Sequence, residues 1–131
     1  MAPLPIEQAL ATHKLIESAV IIAEGRPFVS ALIYPDFDSL VELKQDLNTQ
    51  DPGGVYPETG TFLQSEPVQR RFREIVQSVN HGLNSWEQVR KFHIIDTPPT
   101  IEGGEMTPTF KVRRYAVEAK YQRKIEGFYN S

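Results

Sequence analysis

The chain has 131 residues, of which 40% are hydrophobic and 24% charged, and its net charge is −3. These values indicate one globular domain with a single core, and they argue against a disordered chain or one that binds nucleic acid. No cysteine is present, which excludes disulfides, cysteine nucleophiles and thiolate metal sites and fits a reducing compartment. The apolar runs are too short to span a bilayer and no signal peptide is evident, so we expect a soluble protein.

The start of the chain predicts a short helix followed by two strands. Pro5 suits a first helical turn, and apolar residues follow at helical spacing over residues 5–10. Residues 19–24 and 28–34 are apolar and rich in β-branched side chains, and a turn containing glycine and proline separates them. They predict two antiparallel strands.

The next segment predicts a helix and then a loop. Asp36 is placed to cap the helix and Asp38 lies in its first turn, so we assign both to the helix terminus rather than to a catalytic carboxylate pair. The apolar stripe of this helix consists of Phe37, Leu40, Val41 and Leu47. Residues 48–64 carry strong turn chemistry and predict a surface loop that either is mobile or contains a short helical turn.

The second half of the chain contains the clearest amphipathic pattern, a helix that begins after Ser65. Its inner face consists of Val68, Phe72, Ile75, Val76, Val79 and Leu83. Residues 91–96 predict a third strand, and residues 112–129 predict a last helix. The inner face of the last helix consists of Val117, Tyr121, Ile125 and Phe128.

A short hairpin is expected between the third strand and the last helix. Gly103 and Gly104 can adopt positive φ angles, so they predict a two-residue turn that pairs residues 101–102 with residues 105–106. Together these elements predict an α+β fold: a small sheet of about three main strands plus a short hairpin, with helices packed against it.

Lys111 is the candidate catalytic residue. Pro108 holds Thr107 in an extended conformation, and the helical pattern resumes only after Lys111. The ammonium group is therefore expected at a junction between loop and helix, where it can be presented to a phosphate. An ordinary surface lysine after a hairpin is the simpler alternative.

Other polar residues offer weaker candidates. Six basic residues cluster near the end of the chain against the single acid Glu118, and they suggest either an approaching anion or a solvated helix face. These six are Lys111, Arg113, Arg114, Lys120, Arg123 and Lys124. Arg70, Arg71 and Arg73 lie on the outer face of the amphipathic helix and are assigned to solvation.

No complete active site is predicted from this chain. His13, His81 and His93 lie in separate elements without metal-ligand spacing, so we predict no metal site. The serines lack the glycine pattern of a nucleophile elbow, and no glycine-rich phosphate loop is present, so no cofactor-binding residue is assigned.

Residues 104–114, GEMTPTFKVRR, resemble the lysine motif near the C-terminus of long-chain fatty acid–CoA ligases (long-chain acyl-CoA synthetases). These enzymes belong to the adenylate-forming AMP-binding enzyme superfamily. Residues 2–7 are similar to the end of the segment that follows the interdomain hinge in that family, and residues 28–37 and 86–92 match it in order and spacing. The resemblance covers nearly the whole chain, and its most specific part is the Thr-Pro-Thr before the lysine.

The resemblance implies that residues 1–131 form a single C-terminal lid domain, and that a large N-terminal adenylation domain, absent here, binds ATP, Mg²⁺ and the fatty acid. In the family, a carboxylate attacks the α-phosphate of ATP to give an acyl-adenylate and pyrophosphate; the lid then rotates and coenzyme A forms the thioester. Lys111 matches the adenylation lysine, and Glu105, Thr107 and Thr109 are assigned to shaping its loop. The isolated chain is expected to be inactive. The full enzyme is expected in the cytoplasm, with peripheral membrane association open.

The match has two departures. Phe110 stands where many adenylate-forming enzymes have glycine, as an apolar residue does in the long-chain subgroup. The hinge residue lies upstream of Met1, so contacts with coenzyme A cannot be carried over. Two alternatives stay open, namely the lid of another acid-adenylating enzyme and a free-standing binding module that reuses the fold to engage an anionic partner.

Overall fold

The computed structural model describes residues 3–50 and 59–130 of the chain. Its elements are, in chain order, α1 (Pro3–Ala11), β1 (Ile16–Ile22), β2 (Val29–Pro35), α2 (Phe37–Gln50), α3 (Thr59–Gln64), α4 (Glu66–Asn80), a 3₁₀ turn (Ser85–Glu87), β3 (Val89–Ile94), α5 (Arg114–Lys120) and α6 (Gln122–Tyr129). The predicted α+β class with three main strands is confirmed. In the described part of the chain, no helix combines the length and apolar character that a membrane span requires.

The three strands form one mixed sheet in the order β1-β2-β3. β1 and β2 are antiparallel, with Ile21 opposite Ala31, whereas β2 and β3 are parallel, with Leu32 opposite His93. A parallel pair needs a long crossover connection, which the helices between β2 and β3 provide. All seven residues of β2 are buried, which explains why this strand has a nearly continuous apolar sequence.

Apolar side chains fill the space on both faces of the sheet, so the expected single core is two clusters separated by the strands. Alternate residues of a strand point to opposite faces. Ala31 and Ile33 contribute to the larger cluster, together with residues of α1, α2, α3 and α4. Leu32 and Tyr34 contribute to the smaller cluster, together with residues of α5 and α6.

α4 has the inner face that its sequence predicts. Four apolar residues are buried, namely Val68, Phe72, Ile75 and Val76, and Val79 and Leu83 pack against the same cluster. Ser65 precedes the helix as predicted, but its side chain does not cap it. The Ser65 hydroxyl instead donates to the Phe62 carbonyl oxygen at 2.7 Å.

α2 begins as predicted, because Asp36 Oδ1 accepts the Ser39 amide at 3.1 Å. Its predicted stripe is partly wrong: Val41 is 57% exposed, whereas Leu43 is buried beside Leu40. The side chain of Leu47 lies outside the described residues.

The predicted loop over residues 48–64 contains the short helix that was one of its two alternatives. α3 occupies its last part and places Phe62 and Leu63 in the larger core cluster. The turn sequences of residues 51–58 lie outside the described residues.

The hairpin predicted at Gly103 and Gly104 is wrong in position. Gly104 has the expected positive φ of 82°, but the Glu105 and Met106 amides both donate to the Thr100 carbonyl oxygen at 3.2 Å. The Thr100 hydroxyl also accepts the Gly103 amide at 2.8 Å, so this segment folds into consecutive turns around Thr100. The antiparallel bridge forms farther along the chain, between residues 106 and 112.

The predicted last helix is two helices, because the backbone departs from helical geometry at Tyr121, with φ −107° and ψ 24°. The predicted inner face is nevertheless correct. Val117 and Ile125 are buried in the smaller core cluster, and Tyr121 and Phe128 pack against it. The α5–α6 pair therefore covers the second face of the sheet.

Candidate functional site

Residues 107–111, called the lysine loop below, connect Met106 and Val112, which form an isolated antiparallel bridge. The Thr107 amide donates to the Lys111 carbonyl oxygen at 2.8 Å, and the Phe110 amide donates to the Thr107 carbonyl oxygen at 2.8 Å. These bonds close a tight loop with three residues at its tip. The structure therefore places Lys111 at the end of a short hairpin, shortly before α5.

Phe110 is the non-glycine residue with positive φ in the described part of the chain, at 63°. A left-handed residue is common at the last position of a three-residue hairpin loop, and glycine adopts this conformation most easily. Phe110 is 72% exposed, so packing of its ring does not account for a phenylalanine at this position. The structure thus gives a physical reason why a glycine before the lysine suits this loop.

The side chain of Lys111 is exposed, and none of the described residues forms an ion pair or a hydrogen bond with its ammonium group. Its backbone, in contrast, is held: the Lys111 amide donates to Thr107 Oγ1 at 3.2 Å, and that hydroxyl lies 3.0 Å from Thr109 Oγ1. The two threonines thus bond within the loop. The arrangement presents one uncompensated positive charge on an ordered backbone.

Glu105 lies at the base of the lysine loop and is 2% exposed. Tyr34 Oη donates to Glu105 Oε2 at 2.6 Å, and Lys120 Nζ donates to Glu105 Oε1 at 2.8 Å. The backbone of Glu105 also contributes, because its carbonyl oxygen accepts the Arg113 amide at 2.7 Å. Glu105 therefore joins the loop to β2 and α5, which is more than the local shaping that its sequence suggested.

The partners of Glu105 have altered proton affinities. Burial, followed by the hydrogen bond to Glu105, raises the pKa of the Tyr34 phenol well above its usual range. The hydrogen bond to Glu105 raises the pKa of the Lys120 ammonium. Both donors therefore keep their protons at neutral pH, as bonding to a buried carboxylate requires. This network was not predicted; a tyrosine in a mostly apolar strand, whose buried hydroxyl needs a partner, was an available signal in the sequence.

Three of the six basic residues near the chain end are engaged within the protein. Arg114 forms an ion pair with Glu7 at 2.6 Å, and Lys120 pairs with Glu105. Arg113 donates to the Gly104 carbonyl oxygen at 3.2 Å. Of the predicted cluster, these three side chains are bound to other parts of the protein, whereas Lys111 points to solvent.

The histidines form no metal site in the described part of the chain. Among residues 3–50 and 59–130, no three histidine, aspartate or glutamate side chains are grouped so as to hold a metal ion. Burial lowers the pKa of His13 and of His93, so both rings favour the neutral form. We therefore find no candidate metal centre beside the lysine loop in these residues.

Comparisons with known proteins relate the chain to one group of enzymes. A family model described as the AMP-binding enzyme C-terminal domain matches residues 1–51. A long-chain-fatty-acid–CoA ligase of Mycobacterium tuberculosis is 32% identical over 130 residues, which cover 99% of this chain and 21% of the relative. A chloroplastic long-chain-fatty-acid–[acyl-carrier-protein] ligase of Arabidopsis thaliana is also 32% identical, over 128 residues, covering 98% of this chain and 15% of the relative.

The fold recurs in a solved structure. The chain superimposes on the A-PCP didomain of a carboxylic acid reductase from Segniliparus rugosus, solved with AMP, with a TM-score of 0.73 and 24% identity. That match covers 98% of this chain and 16% of the didomain, so the chain spans about a fifth or less of each of these relatives. Together, the comparisons show that residues 1–51 match the AMP-binding enzyme C-terminal domain and that the chain is similar over nearly its whole length to the C-terminal part of its long-chain fatty acid ligase relatives.

Proposed function

We propose that the chain is the C-terminal lid of a long-chain fatty acid–CoA ligase and that Lys111 serves the adenylation step. The observation that carries this proposal is the exposed Lys111 ammonium, held on a hydrogen-bonded loop and left without a partner among the described residues. A cation kept free on an ordered backbone is available for an anion that arrives from another domain or from a substrate.

The chemistry of adenylation explains why such a cation is needed. The fatty acid carboxylate attacks the α-phosphorus of ATP, a carboxylate–phosphorus bond forms, and pyrophosphate leaves with the electron pair of the broken bond. Both reactants are anions, so a cation that contacts carboxylate and phosphate oxygens lowers their repulsion as the bond forms. Lysine suits this role because its flexible stem carries a compact charge that can enter and leave the site. Coenzyme A would then displace AMP to give the thioester.

The proposal requires a larger domain. The chain spans 21% of the Mycobacterium relative and 15% of the Arabidopsis relative, so most of each relative has no counterpart in it. We assign residues 1–131 to the lid, and we assign the binding of ATP, Mg²⁺ and the fatty acid to a large N-terminal domain of the same enzyme. On this assignment the chain alone is inactive.

A second candidate acceptor follows from the Arabidopsis relative. It is named as a ligase for acyl carrier protein, and it is as similar to this chain, at 32% identity, as the coenzyme A ligase from Mycobacterium. Lys111 would serve adenylation in either enzyme. The two candidates differ in the second step, so supplying the acyl-adenylate with either coenzyme A or phosphopantetheinylated acyl carrier protein, and measuring the thioester formed, distinguishes them.

The decisive experiment measures the first step in protein that carries this chain together with its native upstream sequence. We expect Lys111→Ala to lower fatty-acid-dependent ATP–pyrophosphate exchange by at least about a hundredfold, on the scale of removing one preorganised charge from a transition state. Lys124, an exposed lysine of α6, provides a matched control, and Lys124→Ala should leave exchange unchanged. Equal exchange in the wild type and in Lys111→Ala would remove Lys111 from the mechanism.

A further inference from the structure

Glu105 is a buried carboxylate two residues before the lysine loop. Moving a carboxylate out of water is costly, and an apolar side chain of similar volume often serves stability equally well. In some proteins a buried ionic group is retained because it selects one geometry over others. Glu105 is suited to such a role, because both of its carboxylate oxygens have a donor, Tyr34 Oη and Lys120 Nζ.

The two donors belong to regular secondary structure. Tyr34 is fully buried in β2, the central strand, and Lys120 is the last residue of α5. Their bonds to one carboxylate lie at 2.6 and 2.8 Å, distances typical of strong bonds to an ionised acceptor. The base of the lysine loop is thus fixed to the sheet and to the helix that follows the loop.

A continuous series of backbone contacts leads from Glu105 to the candidate catalytic residue. The Glu105 carbonyl oxygen accepts the Arg113 amide, the next pair is the bridge between residues 106 and 112, and the Thr107 amide then donates to the Lys111 carbonyl oxygen. Because these contacts follow one another without a gap, a change in the orientation of the Glu105 backbone is passed along the hairpin to Lys111.

We propose that Glu105 is a positioning residue for adenylation: its carboxylate, held by Tyr34 and Lys120, sets the direction in which Lys111 extends from the domain. This inference rests on the proposed function, because Glu105 can affect catalysis through Lys111 only if Lys111 stabilises the transition state of adenylation. The physical reason is that catalysis by a positioned charge falls steeply when that charge is displaced by about 1 Å.

The test uses protein that carries this chain with its native upstream sequence. Glu105→Gln keeps the shape of the side chain but removes its charge, and Tyr34→Phe keeps the buried ring but removes one donor. We expect each variant to lower kcat for ATP–pyrophosphate exchange by about ten- to a hundredfold, with the KM values for ATP and fatty acid unchanged. Glu126→Gln is the matched control, because Glu126 also loses an ion pair, with Arg26, but lies on α6 away from the lysine loop; its kcat should equal that of the wild type.

A second readout separates positioning from general structural damage. Thioester formation is measured from acyl-adenylate that is supplied ready-made, and the midpoint of chemical unfolding is measured for each variant. A positioning role predicts loss in the exchange reaction only, with thioester formation near its wild-type value. Because each substitution removes one partner from a buried network, the unfolding midpoint is expected to fall, and it serves to establish that each variant is folded under the assay conditions. Parallel loss in both half-reactions, or exchange equal to that of the wild type, overturns the proposal.

The outcomes also separate this inference from the proposed function. If Lys111→Ala lowers exchange while Glu105→Gln and Tyr34→Phe do not, the role of Lys111 stands and the role of Glu105 is rejected. If Lys111→Ala itself leaves exchange unchanged, both fail. Should Glu105→Gln not fold, Tyr34→Phe decides the question, because it removes only a hydroxyl group.

Discussion

Glu7 and Arg114, 107 positions apart in the sequence, form an ion pair across the outer edge of β1. Glu7 Oε2 accepts the Ile21 amide at 2.8 Å, and Arg114 Nη1 donates to the Ile21 carbonyl oxygen at 3.0 Å. One ion pair thus satisfies both backbone groups of an edge-strand residue. Because Arg114 is also the first residue of α5, the pair fixes the start of this helix against α1 and the sheet.

We predict that Arg114→Leu lowers the free energy of unfolding by about 1.5 to 3 kcal/mol, the usual range for a hydrogen bond to a charged group. The substitution leaves the Glu7 side chain, which is only 11% exposed, without its cation. Chemical denaturation of the chain measures the change. The control is Lys14→Leu, because Lys14 pairs with Glu42 on the open surface and such pairs contribute little. Equal changes in the free energy of unfolding in the two variants would show that the Glu7–Arg114 pair contributes no more to stability than a surface ion pair.

The inner face of α4 supports a second prediction. Phe72 is fully buried in the larger core cluster, so Phe72→Ala should cost about 3 to 5 kcal/mol through lost burial and the cavity that remains. Denaturant titration again provides the measurement. Val41→Ala in α2 is the comparison, because Val41 is exposed and its truncation should change stability by no more than about 0.5 kcal/mol. A small effect of Phe72→Ala would contradict the packing of α4 against the sheet.

Elements with a strong local pattern could be predicted from the sequence. The stripe of α4 and the apolar runs of β1 and β2 depend on neighbouring residues, and the structure confirms all three elements. Element ends were less accurate because contacts between elements decide them. β3 begins at Val89, two residues before the prediction, where the side chain of Asn80 bonds to both the amide and the carbonyl oxygen of Val89.

In the candidate site, too, local features could be predicted from the sequence, whereas contacts between distant residues could not. Lys111 could be singled out because its motif is contiguous, and the structure places it on an exposed loop. The role of Glu105 could not be predicted, because its partner Tyr34 is 71 positions away and the pairing depends on the folded sheet. The predicted position of the hairpin was wrong for a related reason. Gly103 and Gly104 lie in turns that bond to Thr100, and no local sequence pattern predicts these bonds.

Because the pKa of His93 is lower in the folded protein, we expect this residue to reduce stability as the pH falls. Burial, and to a smaller extent the charge of Lys124, lowers its pKa in the folded protein, while Asp96 opposes the change. The unfolded chain therefore binds a proton more readily than the folded one, so stability is complete above the unfolded value of about 6.5 and decreases as the pH falls through it. His13, whose pKa burial also lowers, acts in the same direction.

We accordingly expect the unfolding midpoint of the chain to decrease between about pH 7.5 and pH 5.5, and we expect a smaller decrease in His93→Gln. Denaturation curves recorded across this range for both proteins provide the measurement. An identical pH dependence in the two proteins would show that the protonation of His93 is not linked to folding.

The left-handed backbone at Phe110 allows a prediction about the lysine loop itself. Phe110 has φ 63°, a conformation that costs a residue with a side chain about 1 to 2 kcal/mol and costs glycine almost nothing. A β-branched residue is the least compatible with this conformation.

We expect Phe110→Gly to be more stable than Phe110→Val by about 1 kcal/mol. Glycine avoids the backbone strain that valine has at this position, but its greater freedom in the unfolded chain offsets part of that advantage. Since both substitutions remove the same exposed ring, its loss cancels, and equilibrium denaturation of the two variants isolates the backbone effect. If Phe110→Val proved the more stable variant, the lysine loop could not depend on a left-handed residue before Lys111.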